Sequence, residues 1–310
     1  METLVAIILV IIMIIYDSNL VETFKKKIEN FNNPTNNDLN LNLSLPNKNP
    51  LIINTNKVWI FSRTEYSSRK WTNRVNEKQP IPNIEELCIA SIFKHMPSYN
   101  IQIVNVNNIQ KLLPEYTNIL SLCNSFYMYY NLIKYAILNK YGGLWIPSNY
   151  ILTKPLSCIE KCKHNKLLTF SRNNNQLVDN YGLSDDIICC TPDNLIIKEM
   201  LCFLKKQLNS FQNDLIFKKT INKHFNTLLD QYKHHHTDQQ QLMIGNKHIS
   251  VDDLFSNEID VELINYAIID SHLEEIRHNH KYSFLLHLDK KNIIESNMLI
   301  GKILNNALLA

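Results

Sequence analysis

Two adjacent glycines, Gly142 and Gly143, constrain the fold strongly, because only five glycines occur among the 310 residues. Apolar residues recur every three or four positions before them, which predicts a helix that ends at the first glycine; they are Phe126, Tyr130, Ile133, Ile137 and Tyr141. The apolar run Leu144-Trp145-Ile146 then predicts a strand inside a covered sheet. Ligands of open α/β sheets bind beyond the carboxyl ends of the strands. Pro147-Ser148-Asn149 is therefore predicted to lie at a ligand-binding edge.

The same segment resembles the central region of glycosyltransferases that have a GT-A fold and an Asp-x-Asp sugar signature. It is most similar to the capsular polysaccharide synthesis and mannosyltransferase group. In that group an acidic residue, two apolar residues, a basic residue and Tyr precede Tyr-Gly-Gly, an apolar-aromatic-apolar run and Asp-x-Asp. The part from the acidic residue to Tyr corresponds to Asn131-Leu132-Ile133-Lys134-Tyr135 in this chain. The part from Tyr-Gly-Gly through the apolar-aromatic-apolar run is matched by Tyr141-Gly142-Gly143-Leu144-Trp145-Ile146. Asn131 replaces the first acid, and Pro147-Ser148-Asn149 replaces Asp-x-Asp.

The resemblance implies an α/β fold of the GT-A type, with a Rossmann-like mixed sheet flanked by helices. It extends over about residues 57–309, although only residues 127–156 are specific. The C-terminal part, from Lys281 to Leu309, is similar to the closing strand and helix of related proteins from large DNA viruses. The implied activity is the transfer of a hexose from a nucleotide-sugar donor to a glycan or protein acceptor.

Apolar patterns elsewhere predict alternating strands and helices, which is typical of a parallel sheet with right-handed crossovers. Strands are predicted at Val58–Phe61, Ile101–Val106 and Lys166–Phe170, and helices at Ile84–Met96, Leu112–Leu120 and Asp214–Tyr232. The strand at Lys281–His287 and the helix at Lys290–Leu309 are implied by the resemblance. Thr191 is the predicted N-cap of a further helix, with Pro192 at its first position.

The apolar run from Leu4 to Tyr16 predicts a membrane anchor, although as a helix it spans only about 20 Å of a ~30 Å hydrocarbon core. A signal peptide is disfavoured because no basic start or small-residue cleavage site is present, and a core helix because every face is apolar. We predict an anchor over residues 1–22, an Asn-rich stem over 23–56 and the catalytic domain over 57–310. Lys25-Lys26-Lys27 favours a cytosolic domain, whereas the resemblance implies a luminal one.

Charge and cysteine content restrict the partners. The net charge of +3, without a sustained Lys/Arg block, gives no basis for a nucleic-acid partner. The seven cysteines lie mostly in apolar runs, which favours buried reduced thiols. Cys158, Cys162 and His164 have the spacing of a partial metal site, but a structural role is favoured because no second half is present. The adjacent histidines 234–236 are predicted to form a solvated loop.

Donor binding is assigned by the resemblance to the ends of the predicted strands and to the helix before the glycines. The residues concerned are Ser62, Arg63, Asn131, Lys134, Tyr135, Gly142, Gly143, Trp145 and Ser148. Structural alternatives stay open: Ser62 and Arg63 could form a solvated loop. Lys134 could extend its amine to solvent, and Trp145 could be a core aromatic residue.

The departing diphosphate of a donor needs its charge stabilised, which Asp-x-Asp enzymes achieve with a divalent ion. Here Asn149 offers one neutral oxygen and Ser148 a weak hydroxyl ligand, so this loop alone does not predict a tight Mn²⁺ or Mg²⁺ site. Asp185, Asp186 and Asn149 are the predicted catalytic residues, with Asn149 and Asp186 as weak metal ligands. A capped turn is the structural alternative for the two aspartates.

Three functions remain compatible with the sequence. The first is a membrane-anchored glycosyltransferase that acts on a glycan or glycoprotein without a tightly held metal. The second is a catalytically degenerate module on the same fold that binds a sugar or nucleotide. The third is a structural membrane protein. The fold alone does not separate them, because function depends on the site.

Overall fold

Seven strands form two sheets in the described part of the chain. They are β1 (Lys57–Phe61), β2 (Asn100–Val104), β3 (Gly143–Pro147), β4 (Tyr150–Leu152), β5 (Leu167–Ser171), β6 (Leu183–Cys190) and β7 (Ile268–Asp270). The larger sheet has the order β2-β1-β3-β6-β5, and the smaller one pairs β4 with β7. β1 is parallel to β2 and β3, whereas β6 is antiparallel to β3 and β5. The protein therefore has a mixed α/β fold.

The computed structural model describes residues 57–62, 81–123, 125–156, 167–171, 183–208, 214–232, 250–255, 268–271 and 273–309. All of them lie in one compact unit, Ile53–Ala310. Its helices are α1 (Asn83–His95), α2 (Ile109–Leu112), α3 (Thr117–Ser121), α4 (Phe126–Tyr141), α5 (Leu195–Gln207), α6 (Asp214–Gln231), α7 (Val251–Leu254), α8 (Leu273–His278), α9 (Lys290–Ile294) and α10 (Leu299–Leu309). Two 3-10 turns lie at Pro114–Tyr116 and Ser283–His287.

The central strands are covered on both faces, as a largely parallel arrangement requires. Val58 through Phe61 of β1 and Leu144 through Ile146 of β3 are at most 2% exposed. One apolar cluster joins this sheet to α4, α5 and α6. A second cluster joins α1 to β4, β7 and the C-terminal helices. The small sheet is therefore held by α1 and the C-terminal part of the chain.

The glycine corner between α4 and β3 has a steric origin. Gly142 has φ 61° and Gly143 has φ 96°, both in the positive region that favours glycine. A Cβ at Gly142 would lie 2.6 Å from Cδ of Pro192, and one at Gly143 would lie 2.5 Å from the carbonyl oxygen of Lys57. The Gly142 carbonyl also accepts a 2.8 Å hydrogen bond from Nε1 of Trp59. The predicted helix-glycine-strand order is confirmed.

Two local predictions are wrong. Helix α5 begins after Asn194, whose side-chain oxygen accepts hydrogen bonds from the N–H groups of Ile196 and Ile197, so Thr191 is not its cap. The aromatic and leucine residues near Ser283–His287 form a 3-10 turn rather than a strand, because Tyr282 and Leu285 turn inward together against the second cluster.

Several predictions fall on residues outside the described ranges. They include the anchor and stem before residue 57, Arg63, the Cys158–His164 segment and the histidines 234–236. These stay predictions. None of the helices among the described residues has both the length and the apolar character needed to cross a membrane.

Candidate functional site at the carboxyl edge of β1 and β3

The order of the parallel strands defines one crevice at the edge of the large sheet. From β1 the chain moves outward to β2 and then returns to the opposite side of β1 as β3. The strand order therefore reverses between β1 and β3, and ligands of open α/β sheets bind at such a switch point. Phe61 and Pro147 are paired at the carboxyl ends of these strands. The residues after them, Ser62 and Ser148-Asn149, lie where the sequence predicts ligand binding.

Ser62 lies on the β1 side of this crevice. Its backbone N–H donates a 2.9 Å hydrogen bond to the carbonyl oxygen of Val104, which fixes the chain as it leaves β1. The residue is only 1% exposed, and its hydroxyl oxygen has no hydrogen-bond partner among the described residues. A buried polar atom of this kind is unusual in a folded protein, so it is a reason to keep Ser62 among the candidate contacts.

Ser148 and Asn149 form the turn between β3 and β4, here called the β3–β4 turn. Ser148 is 8% exposed, and its hydroxyl donates a 2.7 Å hydrogen bond to Oε1 of Glu85. Asn149 is half-buried; its Nδ2 donates to Oδ1 of Asp270 at 2.8 Å, and its carbonyl oxygen accepts from the N–H of Ser271 at 2.9 Å. The hydroxyl proton of Ser148 is therefore engaged by a buried carboxylate, and only the acceptor side of this oxygen is left for a sugar donor.

Glu85 is a carboxylate of α1 that is buried beneath the β3–β4 turn. Its side chain is 2% exposed and forms a 2.8 Å ion pair with Nη2 of Arg277 on α8. Burying a carboxylate is costly unless charge and hydrogen-bond partners compensate it. Ser148 and Arg277 supply that compensation, so the turn, α1 and α8 are tied together through one side chain.

The negative charges near the turn act on the thiol of Cys88, which is fully buried on α1. Burial raises the pKa of Cys88 to about 12, and the Glu85 and Asp270 carboxylates contribute to the rise. The thiolate is therefore unpopulated at neutral pH, and Cys88 does not serve as a nucleophile at this edge.

Asp186 lies at the same edge of the sheet because β6 runs antiparallel to β3. Ile188 pairs with Trp145, and Asp186 is two residues nearer the start of β6. Its Oδ2 accepts a 3.2 Å hydrogen bond from the hydroxyl of Tyr150, and the residue is half-buried. Asp185 precedes it in β6, and its side chain is not among those the structure describes. Asp186 is thus the described carboxylate that best fits the predicted catalytic role.

The predicted donor-binding residues of α4 lie inside the core. Asn131 is fully buried; its Nδ2 donates to the Tyr127 carbonyl at 2.8 Å, and its Oδ1 has no partner within the described ranges. Lys134 is 1% exposed, and its amine lies 4.7 Å from the centre of the Tyr135 ring and 5.6 Å from that of Tyr130. These distances are within the range of cation–π contacts. Lys134 therefore does not extend its amine to solvent.

Trp145 and Tyr135 are also completely buried. The indole Nε1 of Trp145 donates a 2.9 Å hydrogen bond to the hydroxyl of Tyr130, and its ring stacks on Phe61 with 6.3 Å between centroids. This arrangement agrees with the core alternative for Trp145. Gly142 and Gly143 act through their backbone at the opposite end of β3.

No group of three or more His, Cys, Asp or Glu residues that could hold a metal occurs within the described ranges. The amide of Asn149 presents nitrogen to Asp270, so its oxygen is directed away from that carboxylate. Asn149 and Asp186 are the predicted metal ligands that the structure describes, and their side chains are hydrogen-bonded to Asp270 and Tyr150 respectively. The described residues form no protein cage for an ion.

Sequence reasoning missed Glu85, Asp270, Arg277 and Tyr150. One signal for Glu85 was available, because the residue shares a helical face with the buried residues Cys88, Ile89 and Ile92. A carboxylate on an apolar helix stripe requires a partner from elsewhere in the fold. No comparable pattern marks Asp270 or Arg277, which are brought to the turn only by the packing of the C-terminal part.

No protein-family model and no curated protein matches the sequence. Among solved structures, the chain is similar to a protein described as "PaToxG Glycosyltransferase", with 13% identity, a TM-score of 0.37, and coverage of 57% of this chain and 68% of that one. A second similar structure is a transferase with two cysteine-to-serine substitutions, with 12% identity, a TM-score of 0.30, and coverage of 61% and 93%. The assignment of the site therefore depends on the topology and contacts of this chain.

Proposed function

We propose that the protein is a glycosyltransferase of the GT-A type that transfers a sugar from a nucleotide-sugar donor to a glycan or protein acceptor. One observation carries this proposal. The segment with the family's Tyr-Gly-Gly pattern forms β3, and β3 lies on one side of the switch-point crevice. The segment that replaces Asp-x-Asp follows β3 directly, at the edge where a ligand would bind.

Asp186 is the proposed catalytic carboxylate. It is half-buried and already accepts a hydrogen bond from Tyr150, which fixes its orientation at the crevice. A carboxylate in this position can accept a proton from an acceptor hydroxyl as that oxygen attacks the sugar. Asp185 remains a second candidate from the same strand.

A divalent ion would stabilise the negative charge of the departing diphosphate. Asn149 and Asp186 are the residues that would hold it, together with donor phosphates. Ser62 and Arg63 are the proposed contacts to the donor itself. Lys134 is buried in the core over Tyr130 and Tyr135, so it is not proposed as a direct contact.

The competing function is a binding module that has lost catalysis. Pro147-Ser148-Asn149 contains no carboxylate, and the β3–β4 turn is held by side chains of the protein itself. Such a turn could bind a sugar nucleotide without promoting transfer. Donor binding without turnover would distinguish this function from that of an enzyme.

The test is thermal stability of the full chain with a panel of UDP-sugars and GDP-sugars, with and without Mn²⁺, followed by assay of donor hydrolysis. Stabilisation by one donor with slow hydrolysis is the expected result. Without Mn²⁺, Asp186→Asn should retain donor binding and lose at least about tenfold in hydrolysis, since positioned acid–base groups contribute ~100-fold or more. Asp252→Asn is the matched control, because Asp252 is exposed and pairs with Lys281. No stabilisation by any donor would refute the proposal, and stabilisation without hydrolysis would favour the binding module.

We also propose attachment to a membrane through the apolar run from Leu4 to Tyr16. A chain that lacks residues 1–22 should no longer sediment with membranes after alkaline washing, whereas the full chain should. Protease protection of sealed vesicles would then give the side on which the domain lies. Equal recovery of both chains in the soluble fraction would contradict the anchor.

A further inference from the structure

The β3–β4 turn is held by two carboxylates that come from distant parts of the chain. Ser148 donates to Glu85 of α1 at 2.7 Å, and Asn149 donates to Asp270 of β7 at 2.8 Å. The next residue after Asp270, Ser271, donates its N–H to the carbonyl of Asn149. Both residues of the turn are thus fixed through their side chains, and Asn149 is fixed through its backbone as well.

Burying the charge of Glu85 costs free energy, so this residue is unfavourable if its only role is to stabilise α1. It is 1% exposed among apolar neighbours, and it needs both Ser148 and Arg277 to compensate its charge. Apolar residues of similar size often replace buried ion pairs with no loss of stability. We therefore interpret the Glu85 carboxylate as a group that fixes the position of its partner Ser148.

Asp270 determines the orientation of the Asn149 amide. An ionised carboxylate only accepts hydrogen bonds, so the nitrogen of the amide must face Asp270. The amide oxygen is consequently directed away from Asp270 at the edge where β3 ends. The hydrogen bond therefore fixes the direction of the neutral Asn149 oxygen relative to Asp270.

We propose that Glu85 and Asp270 are positioning residues for the donor-binding edge, and that they act through Ser148 and Asn149. This inference rests on the proposed function, because the edge must bind a nucleoside diphosphate. In this proposal the carboxylates do not touch the donor. They hold the β3–β4 turn so that Asn149 and the end of β3 keep the positions in which they contact the donor. Displacement of a binding group by about 1 Å can reduce a reaction rate by ~100-fold.

The experiment uses the full chain and measures the Kd of UDP or GDP, whichever stabilises the wild-type protein, together with kcat and KM for the hydrolysed sugar donor. Glu85→Gln and Ser148→Ala should each weaken diphosphate binding about tenfold and lower kcat/KM further, because a turn that has lost one anchor samples misplaced geometries. Ser148→Thr, which keeps the hydroxyl, should restore binding to within about threefold of the wild type.

Two control variants separate positioning from stability. Ser91→Ala removes a buried serine of the same helix, whose hydroxyl accepts the N–H of Leu152 and donates to the Cys88 carbonyl. Glu86→Gln removes the neighbouring carboxylate, which pairs with Lys290 rather than with the turn. Both should keep the diphosphate Kd of the wild type, even where they lower the melting temperature as much as Ser148→Ala does.

The outcomes distinguish this inference from the function on which it rests. If the wild-type protein binds neither UDP, GDP nor any sugar donor, the proposed function fails and the inference fails with it. If the wild-type protein binds, and Ser148→Ala and Glu85→Gln bind equally well, only the inference is overturned. Equal loss of binding in Ser91→Ala would also overturn it, since the effect would then follow stability rather than the turn.

Discussion

The two ends of β3 are fixed by different physical means. At its amino end, Gly142 and Gly143 adopt positive φ and pack against the backbone of Lys57 and the ring of Pro192. At its carboxyl end, the β3–β4 turn has no such steric constraint and is held by carboxylates. One end is therefore fixed by the absence of side chains, and the other by specific polar partners.

The amino end of β3 is therefore a sterically fixed corner, whereas its carboxyl end is an edge whose residues can be replaced. The glycine corner tolerates no added atom, and its geometry follows from residues that are adjacent in sequence or strand. The β3–β4 turn depends on partners that are 63 and 121 positions away in the chain. A site whose anchors come from several elements can change its chemistry without a change of fold.

The largest effect is expected from Gly143→Ala at the steric end. The new Cβ would lie 2.5 Å from the Lys57 carbonyl oxygen, and φ 96° disfavours any L side chain. Together, backbone strain and overpacking should cost about 5 kcal/mol. Urea denaturation followed by circular dichroism measures this loss.

Leu122→Ala is the control for this experiment, because Leu122 is 61% exposed and should change stability by less than about 0.5 kcal/mol. A Gly143→Ala protein as stable as the wild type would show that the corner is not sterically fixed, and the contrast between the two ends would disappear.

At the β3–β4 turn, Glu85→Ala should lower the stability of the protein nearly as much as Gly143→Ala does. It leaves Arg277 and the Ser148 hydroxyl without this carboxylate, and breaking a buried ion pair costs about 3–5 kcal/mol. Glu85→Gln should cost less, since the amide fills the same space and its single oxygen can still accept from Arg277, although the bond from Ser148 to a second oxygen is lost. The same denaturation experiment measures both, with Glu86→Gln as the neighbouring control. Equal stability of the Ala and Gln variants would show that the lost charge pairing accounts for the effect and that the volume of the side chain does not.

The sequence predicted the glycine corner at the amino end of β3 well, but it predicted the β3–β4 turn at the carboxyl end only in part. The helix face of α4, the twin glycines and the apolar run of β3 are local patterns, and β1, β2, β5 and α6 were predicted close to their observed bounds. Two predictions failed: the strand that the resemblance implied at Lys281–His287 is a 3-10 turn over Ser283–His287, and Asn194 rather than Thr191 caps α5.

For the polar end, the sequence predicted where Ser148 and Asn149 lie but not what holds them. Asp270 and Arg277 come from segments without a strong periodic signal, so only the folded chain brings them to the turn. Likewise, the burial of Lys134 was not expected, because a lysine beside an apolar stripe usually extends its amine to solvent.

A smaller effect is expected from Asn149→Asp, which places a carboxylate in the β3–β4 turn. The new carboxylate would replace a nitrogen that lies 2.8 Å from Oδ1 of Asp270, so a hydrogen bond is exchanged for repulsion between like charges. We expect a loss of about 2 kcal/mol at neutral pH without metal. Mn²⁺ should restore part of it and should bind this variant more tightly than the wild type.

The pH dependence of the Asn149→Asp variant has a defined sign. Repulsion raises the pKa of the new carboxyl pair in the folded state above its unfolded value, so the variant should approach wild-type stability as the pH falls and lose stability as the pH rises. Thermal unfolding between pH 4.5 and 7.5, with and without Mn²⁺, measures this. An unchanged metal titration would argue that Asn149 is remote from any bound diphosphate.

The smallest effect is expected from Tyr130→Phe on α4, which contacts the middle of β3. This change removes the hydroxyl that accepts the indole N–H of Trp145 at 2.9 Å. Loss of one such bond should cost about 1 kcal/mol, because Tyr130 is half-buried and the aromatic packing remains. Trp145 itself is 0% exposed, so diphosphate affinity should stay that of the wild type if the ring is part of the core. Titration of UDP or GDP into the variant measures this, with urea denaturation for stability. A tenfold weaker affinity with unchanged stability would instead place Trp145 and Tyr130 in contact with the donor, and the crevice would then extend from the carboxyl edge into the middle of β3.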